Sequence, residues 1–479
     1  MYQLLLHKAH KIILLLLLTI GLVFACGSSK NKKEENVSGN SARKILISIP
    51  DTFKPGVLYP KIVINNDELN TFSLYLPKYY NNNSLWPVVF FFDAAGNGSF
   101  PVKKYQSLAD SLGFIFIGSN VSKNGQQPEE SYTIWKSLEN VCTQTFSIDK
   151  KRIVLAGFSG GARVCCTISA NDQSIACIIA NSAGAANLSQ QLSPNTMFIG
   201  MAGKGDMNRA EMLNIEQHLS ASTINHFYLE FEGIHEWCPV STMEKALSLH
   251  LMNDYLKNLA QINPVIIASF TLKQNLLINQ LKANHNWVQA CNELIILIKG
   301  TKGLNTSPLE SIDSLKNNTE YIIQKEELLR LNATETEIQQ QLYNMMLQNI
   351  DTLLWSNKMK EIRKIAAGKG NKAAMHQRLL GYASLLCFSF SNRNIMAKNY
   401  SEAEKTVACY QLADPKNAEV YFFKAILFGA KADKINTMLN LKKALSLGLT
   451  NKSRLMNQSE WIFLKNDSEF QEIVNKGQF

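Results

Sequence analysis

The sequence lacks the spacings by which resident metals and nucleic-acid modules are usually held. It contains no His-Glu-x-x-His and no Cys-x-x-Cys, so the helical and knuckle-type zinc patterns are both missing. No helix-turn-helix, RNA-recognition or zinc-finger pattern accompanies the formal net charge of +10. The lysines are scattered, so this charge reads as a solvated surface and not as a nucleic-acid footprint. Cysteine is not arranged as a disulfide framework. Of the nine cysteines, Cys26 stands apart, and others such as Cys165, Cys177 and Cys387 lie inside apolar stretches, as buried thiols do. Cys142 with Cys166 or Cys177 is the pair to check in an oxidising compartment. The apolar run from Ile12 to Ala25 is too short for a comfortable transmembrane helix. What remains, at 479 residues and 46% hydrophobic, is a globular chain long enough for two or three domains.

The first 44 residues read as targeting. His7, Lys8, His10 and Lys11 precede the apolar run, the charge layout of a secretory signal. Leu22-Val23-Phe24-Ala25-Cys26 resembles the lipobox of bacterial lipoproteins, which implies a signal peptide over 1–25 and lipidation at Cys26; an ordinary signal with an incidental cysteine is the alternative. Residues 26–44, with mixed charge from Lys30 to Asn36, read as a flexible tether. Lys32-Lys33-Glu34-Glu35 is similar to the short charged signals that direct some lipoproteins to the outer face. The resemblance implies a lipid-anchored protein of a bacterial outer membrane or cell surface, with the periplasmic face as the alternative.

Residues 45–262 read as one α/β domain. Ile45–Ile49, Ile62–Ile64 and Phe72–Leu76 suit antiparallel lead-in strands. From Val88–Phe92 onward, strands and helices alternate at the spacing of a doubly wound parallel sheet. Ser241-Thr242-Met243-Glu244 has the form of a capping box opening a closing helix from Thr242 to Leu259.

Within that alternation one stretch stands out. Ile153-Val154-Leu155-Ala156 has no polar alternation, as in a strand buried on both faces, and runs into Gly157-Phe158-Ser159-Gly160-Gly161. Strand, G-x-S-x-G and helix in that order make a nucleophile elbow, with Ser159 on a strained turn at a helix N-terminus. A serine nucleophile needs a base, and the base an orienting acid. Among His218, His226, His235 and His250, only His235 follows directly on the last strand, where the chain emerges beside Ser159. Asp206, in the loop after the preceding strand, completes the chain order Ser…Asp…His; Glu230, Glu232 and Glu236 are rival carboxylates.

These residues together resemble the α/β-hydrolase superfamily, in its lidless branch of feruloyl-esterase-like, polyhydroxybutyrate-depolymerase-like and dienelactone-hydrolase-like proteins. The likeness covers about residues 70–260. It implies Ser159 as nucleophile, His235 as base and Asp206 as acid, with no cofactor and no metal. It also implies an oxyanion hole of the Gly160 N–H and one from the Ala94-Ala95 turn. The turn departs from the His-Gly-Gly of many esterases. Asp93 beside a developing oxyanion is unfavourable unless its side chain points away.

Beyond residue 262 helical periodicity takes over, with stretches at Leu281–Lys299, Glu310–Leu331 and Glu335–Ala367. Residues 263–380 are expected to be a helical region and 381–479 a repeat region with its cap. The breaks at Asp414 and Gly448 lie one tetratricopeptide period apart. Asp414-Pro415-Lys416-Asn417 resembles the turn between such repeats, Ala408, Ala425 and Ala444 are their small packing residues, and Trp461 to Asp467 with Phe470 resembles their cap. Such arrays usually bind a peptide partner or pack against another domain; a helical appendage that merely covers the hydrolase is the alternative.

The chain is thus expected to be a lipid-anchored serine hydrolase acting on a small ester or an acylated polysaccharide. The alternatives are a cell-surface interaction protein with an idle hydrolase domain, and a serine peptidase.

Overall fold

The fold is given by a computed structural model that describes residues 53–64, 67–185, 188–304, 311–348, 350–449 and 452–476. The signal, Cys26, the tether and Ile45–Ile49 lie outside the described residues. The chain divides into two compact units, the first ending at Glu327 and the second beginning at Leu328.

The first unit runs β1 (Leu58–Ile64), β2 (Asp67–Tyr75), β3 (Trp86–Phe92), α1 (Ser99–Leu112), β4 (Ile115–Ser119), α2 (Pro128–Thr145) and β5 (Ile148–Phe158). It continues with α3 (Gly160–Asn171), β6 (Ile175–Asn181), the single turn α4 (Leu188–Gln191), β7 (Met197–Gly203), α5 (Arg209–Ser220), β8 (His226–Phe231) and α6 (Val240–Leu256). The strands form one eight-stranded sheet in the order β1-β2-β4-β3-β5-β6-β7-β8. β2 pairs antiparallel with both β1 and β4, and every pairing from β4 to β8 is parallel. This is the α/β-hydrolase arrangement, with an antiparallel lead-in and a doubly wound parallel body.

The apolar runs explain why the central strands are buried on both faces. Along β3, Val88, Phe90 and Phe92 enter one core with Trp135 and Cys165, while Val89 and Phe91 enter the other with Tyr105 and Trp237. Ile153 and Leu155 against Val154 and Ala156 repeat this division in β5, the two-residue period of a strand serving two cores at once.

α6 starts at Val240 on Pro239, whose φ of −56° and ψ of 153° set the entry, and no side chain caps it. The expected capping box therefore does not form, because Ser241 already lies inside the helix. The helix stops at Leu256, and Asn258 turns the chain with a φ of 56°. α6 is buried on most of its faces, so it needs a further layer outside it. α7 (Pro264–Ala283), α8 (Trp287–Thr301) and α9 (Ile312–Lys316) supply that layer: Phe270, Ile278, Leu294, Leu297 and Leu315 share a core with Leu249 and Met252. The last strand ends at Phe231 and the expected boundary at 262 follows α6, but the compact unit extends to Glu327.

α10 (Thr319–Leu347) spans the division between the units. The second unit continues with α11 (Thr352–Ala366), α12 (Asn371–Met396), α13 (Tyr400–Ala413), α14 (Ala418–Gly429), α15 (Lys434–Ser446), α16 (Lys452–Met456), a 3-10 turn (Ser459–Leu464) and α17 (Ser468–Lys476). Among the described residues it is wholly helical, and the expected division at 380–381 falls inside the continuous α12. The expected stretch Glu335–Ala367 is broken where Asp351 caps α11, its Oδ1 accepting from the Leu353 and Leu354 N–H groups. Asn417 caps α14 and Asp433 caps α15 in the same way. Ala425 and Ala444 are fully buried, Ala408 half so, and Trp461 donates from its buried indole to the Leu455 carbonyl.

Among the described residues no helix is long and apolar enough to cross a membrane. Cys142, Cys166 and Cys177 are buried free thiols, so neither candidate disulfide is present. Burial pushes Cys142 and Cys177 well above the usual thiol range and Cys166 up to about 12.

Candidate active site

The elbow is a steric construction. Ser159 sits at φ 53° and ψ −119°, a left-handed backbone that a non-glycine residue keeps only when its surroundings enforce it. A Cβ on Gly157 would lie 2.3 Å from the Gly161 carbonyl oxygen, and one on Gly161 would lie 1.9 Å from that of Phe92. Gly157 is therefore required for β5 and α3 to approach so closely, and Gly161 for α3 to lie against the end of β3. The Ser159 N–H donates to the Asn181 carbonyl at 2.9 Å, which ties the turn to the next strand.

The chain brings together the three residues that the sequence singles out. His235 Nε2 lies 3.0 Å from Ser159 Oγ, and His235 Nδ1 lies 2.9 Å from Asp206 Oδ1. Asp206 is fully buried, and its Oδ1 also accepts the Asn208 N–H at 2.8 Å. Its Oδ2 has no hydrogen-bond partner among the described residues. A buried carboxylate accepts and cannot donate, so it selects the tautomer with the proton on Nδ1. Nε2 is thereby left as the acceptor facing the Ser159 hydroxyl. The imidazole side chain is 22% exposed, so the base remains reachable from solvent.

The rivals are engaged elsewhere. Glu230 accepts from Arg209 at 2.6 Å, Glu232 pairs with Lys204, and Glu236 accepts the Ile234 N–H. His218 and His226 bond to the Asn214 and Ile224 carbonyls, and His250 is buried in α6 beside Asp254.

Both carboxylate oxygens of Asp93 are engaged within the protein. Its Oδ2 accepts the Trp237 indole N–H at 2.8 Å, and its Oδ1 accepts the Ala95 N–H at 2.9 Å. Of the two N–H groups in the expected Ala94-Ala95 turn, that of Ala95 is thus engaged by Asp93 itself. The Gly160 N–H lies at the start of α3, where helix geometry leaves such groups without an intrahelical partner. A Cβ on Gly160 would fall 1.5 Å from Asn124 Oδ1, so this position too must be glycine while Asn124 holds its place.

The loop carrying the base is braced along its length. Lys104 donates to the Trp237 carbonyl and Tyr105 to that of Cys238, both at 2.7 Å. Asn181 bonds the loop on both sides of Trp237. The Phe158 ring lies 4.8 Å from that of His235. On the other flank, Arg163 bonds Gly184 and Glu211, each at 2.8 Å, and fixes the segment after β6. Sequence reasoning missed Asn181 and the Asp93–Trp237 brace. The one available signal was an amide closing the apolar run Ile178-Ile179-Ala180. A groove of about 520 Å³ lined by Tyr79, Trp86, Arg152 and Ile262 opens where β3 and β5 begin, the opposite edge of the sheet, and holds none of the three residues.

No protein-family model matches the chain. No curated protein matches it either. Solved structures similar to it include the fluorophosphonate-binding serine hydrolase F of Staphylococcus aureus, substrate bound, at 13% identity over 41% of this chain and 99% of that one, with a TM-score of 0.33. A mutant of the feruloyl esterase module from Clostridium thermocellum, complexed with sinapinate, is 14% identical over 42% of this chain and 91% of that one, TM-score 0.31. Esterase B from Lactobacillus rhamnosis is 13% identical over 44% and 92%, TM-score 0.34. At such identities these similarities say nothing of activity, and the fold assignment rests on the strand order and connections of this chain itself.

Proposed function

We propose that the chain is a serine hydrolase of carboxylic esters, with Ser159 as nucleophile, His235 as general base and Asp206 as the acid that orients it. The observation that carries this reading is the unbroken line from Asp206 Oδ1 through His235 to Ser159 Oγ, at 2.9 and 3.0 Å. In the reaction, Ser159 Oγ attacks the ester carbonyl carbon as its proton passes to His235 Nε2. The carbonyl oxygen becomes an oxyanion facing the N–H groups of Gly160 and Ala94. His235 then returns the proton to the departing alcohol, leaving an acyl-serine. Water repeats the sequence, giving its proton to Nε2 and releasing the acid and free Ser159. Each oxyanion donor of this kind is worth about 10²–10³-fold in rate.

The interaction-protein reading rests on the repeats and was favoured by the unusual oxyanion turn, and the engagement of the Asp93 carboxylate by Trp237 and Ala95 weakens that second support. Ester rather than peptide substrates, acylated polysaccharide among them, remain part of the proposal. So do a tetratricopeptide-like repeat over α13–α15 that takes a protein partner, and a lipid anchor at Cys26 holding the protein at a bacterial outer membrane or cell surface. Cys26→Ser should move the protein into the soluble fraction, and retention in the membrane would contradict the anchor.

The catalytic proposal is tested with a short-chain nitrophenyl ester. Ser159→Ala and His235→Ala should each lower kcat by about 10⁴–10⁶-fold with the fold intact. Near-normal turnover by His235→Ala would remove it as the base.

A further inference from the structure

Asn181 is fully buried and closes β6, the strand lying between β5, which presents Ser159, and β7, which leads to Asp206. Its main-chain carbonyl accepts the Ser159 N–H at 2.9 Å. Its side chain reaches the base loop: Oδ1 accepts the Cys238 N–H at 2.8 Å, and Nδ2 donates to the Glu236 carbonyl at 3.1 Å. Nδ2 also donates to Ser182 Oγ at 2.6 Å. Glu236 follows His235 directly. One buried residue thus holds the nucleophile by its backbone and the base loop by its carboxamide.

The acid arm meets the same point. Ser182 adopts a left-handed φ of 66°, and its carbonyl accepts from Asn208 Nδ2 at 2.8 Å. The Asn208 N–H in turn donates to Asp206 Oδ1. A single hydrogen bond to Asp206 leaves the imidazole free to pivot about that contact, so the reach of Nε2 depends on where the loop backbone is held. Lys104 and Tyr105 hold the loop from α1, whereas Asn181 ties it to the strand end that also holds Ser159.

We propose that Asn181 is a positioning residue for ester hydrolysis, its carboxamide setting the approach of His235 Nε2 to Ser159 Oγ without touching substrate. The proposal rests on the reading of Ser159, His235 and Asp206 as the catalytic set. An amide suits the position because it must accept from Cys238 and donate to Glu236 at once. A carboxylate of the same shape can only accept, and an apolar side chain can do neither.

The test measures kcat and KM on a short-chain nitrophenyl ester across neutral pH, together with urea stability, in the full chain. Asn181→Ala and Asn181→Asp are compared with Thr196→Val. Thr196 is a buried control near the other end of β6, where its hydroxyl donates to the Ile175 carbonyl. Displacing a reacting group by about 1 Å costs on the order of 10²-fold, so both Asn181 variants should lose about that factor in kcat with KM nearly unchanged. In Asn181→Asp only the protonated carboxyl can donate to Glu236. The ratio of its kcat to that of the wild type should therefore fall as pH rises. Thr196→Val should lose stability and keep both kcat and pH profile. Asn181→Asp keeps the size of the side chain, so it carries the test if the alanine variant does not fold. Folded Asn181→Asp with kcat within about threefold of wild type at every pH would overturn the proposal. So would a loss in Thr196→Val matching that of the Asn181 variants. A wild-type protein without turnover would instead overturn the triad reading on which the proposal depends.

Discussion

The bond between Asp93 and Trp237 can be tested on its own. Asp93 Oδ2 accepts the Trp237 indole N–H at 2.8 Å, in surroundings that leave Asp93 9% and Trp237 4% exposed. A hydrogen bond to a charged acceptor contributes about 1.5–3 kcal/mol, and a buried donor left unpaired costs about 1–3 kcal/mol. Asp93→Ala removes the acceptor and also releases the Ala95 N–H, which a half-buried turn allows water to satisfy. The net loss should therefore be about 3 kcal/mol of folding stability. Trp237→Phe removes the donor while keeping most of the ring, so Asp93→Ala made in that background should cost less, the difference being about 1–2 kcal/mol. Urea unfolding of the four proteins gives the coupling directly. Trp237 also lies two residues after His235, so Asp93→Ala should lower kcat on a short ester, by up to about 10²-fold if the loop shifts by about 1 Å. A coupling energy below about 0.3 kcal/mol, the scatter expected of independent sites, would refute the brace.

Two further outcomes follow from the packing. His250 and Asp254 are buried together in α6, with Nε2 and Oδ2 3.3 Å apart and without hydrogen bonds among the described residues. Replacing both by leucine should be neutral or stabilising by about 1–4 kcal/mol in urea unfolding, whereas His250→Leu alone should be strongly destabilising. Burial holds the His250 imidazolium below its ordinary value of 6.5. The unfolded chain therefore takes up the proton first, and the wild type should lose stability as pH falls through that value. Asp254 has the opposite sign: burial raises its carboxyl, so its contribution is present at acid pH and lost as pH rises. The double variant should lose both dependences. As for the boundary, a fragment ending near residue 262 exposes the side of α6 that Phe270, Leu294 and Leu297 cover, and should aggregate. One ending near Glu327 should be soluble and keep its rate on a small ester, and light scattering with the ester assay distinguishes the two.

Much of the first unit was legible because its signals are local. Val88–Phe92 and Ile153–Ala156 are apolar without alternation, and only a strand between two cores accommodates that. Ser159, Asp206 and His235 could be selected because each lies just past the end of a strand, the edge at which a parallel sheet gathers its loops. The bracing was not legible. Asn181, Asp93 and Trp237 act through contacts between residues far apart in sequence, and an amide or a carboxylate at a strand end looks the same whether it faces a ligand or a loop. The end of the unit was obscured for a similar reason. The strand pattern stops before residue 262, but α6 is apolar on most faces, and its demand for an outer layer is visible only once it is seen to be already packed on the sheet.

The central claim, that Ser159 is a nucleophile activated by His235, is tested most directly by reaction with a fluorophosphonate followed by mass analysis of the labelled peptide. The account predicts a single adduct on Ser159 in the wild type, no adduct in Ser159→Ala, and labelling slowed by several orders of magnitude in His235→Ala. Folded wild-type protein that takes no label, or takes it at another residue, would contradict the account.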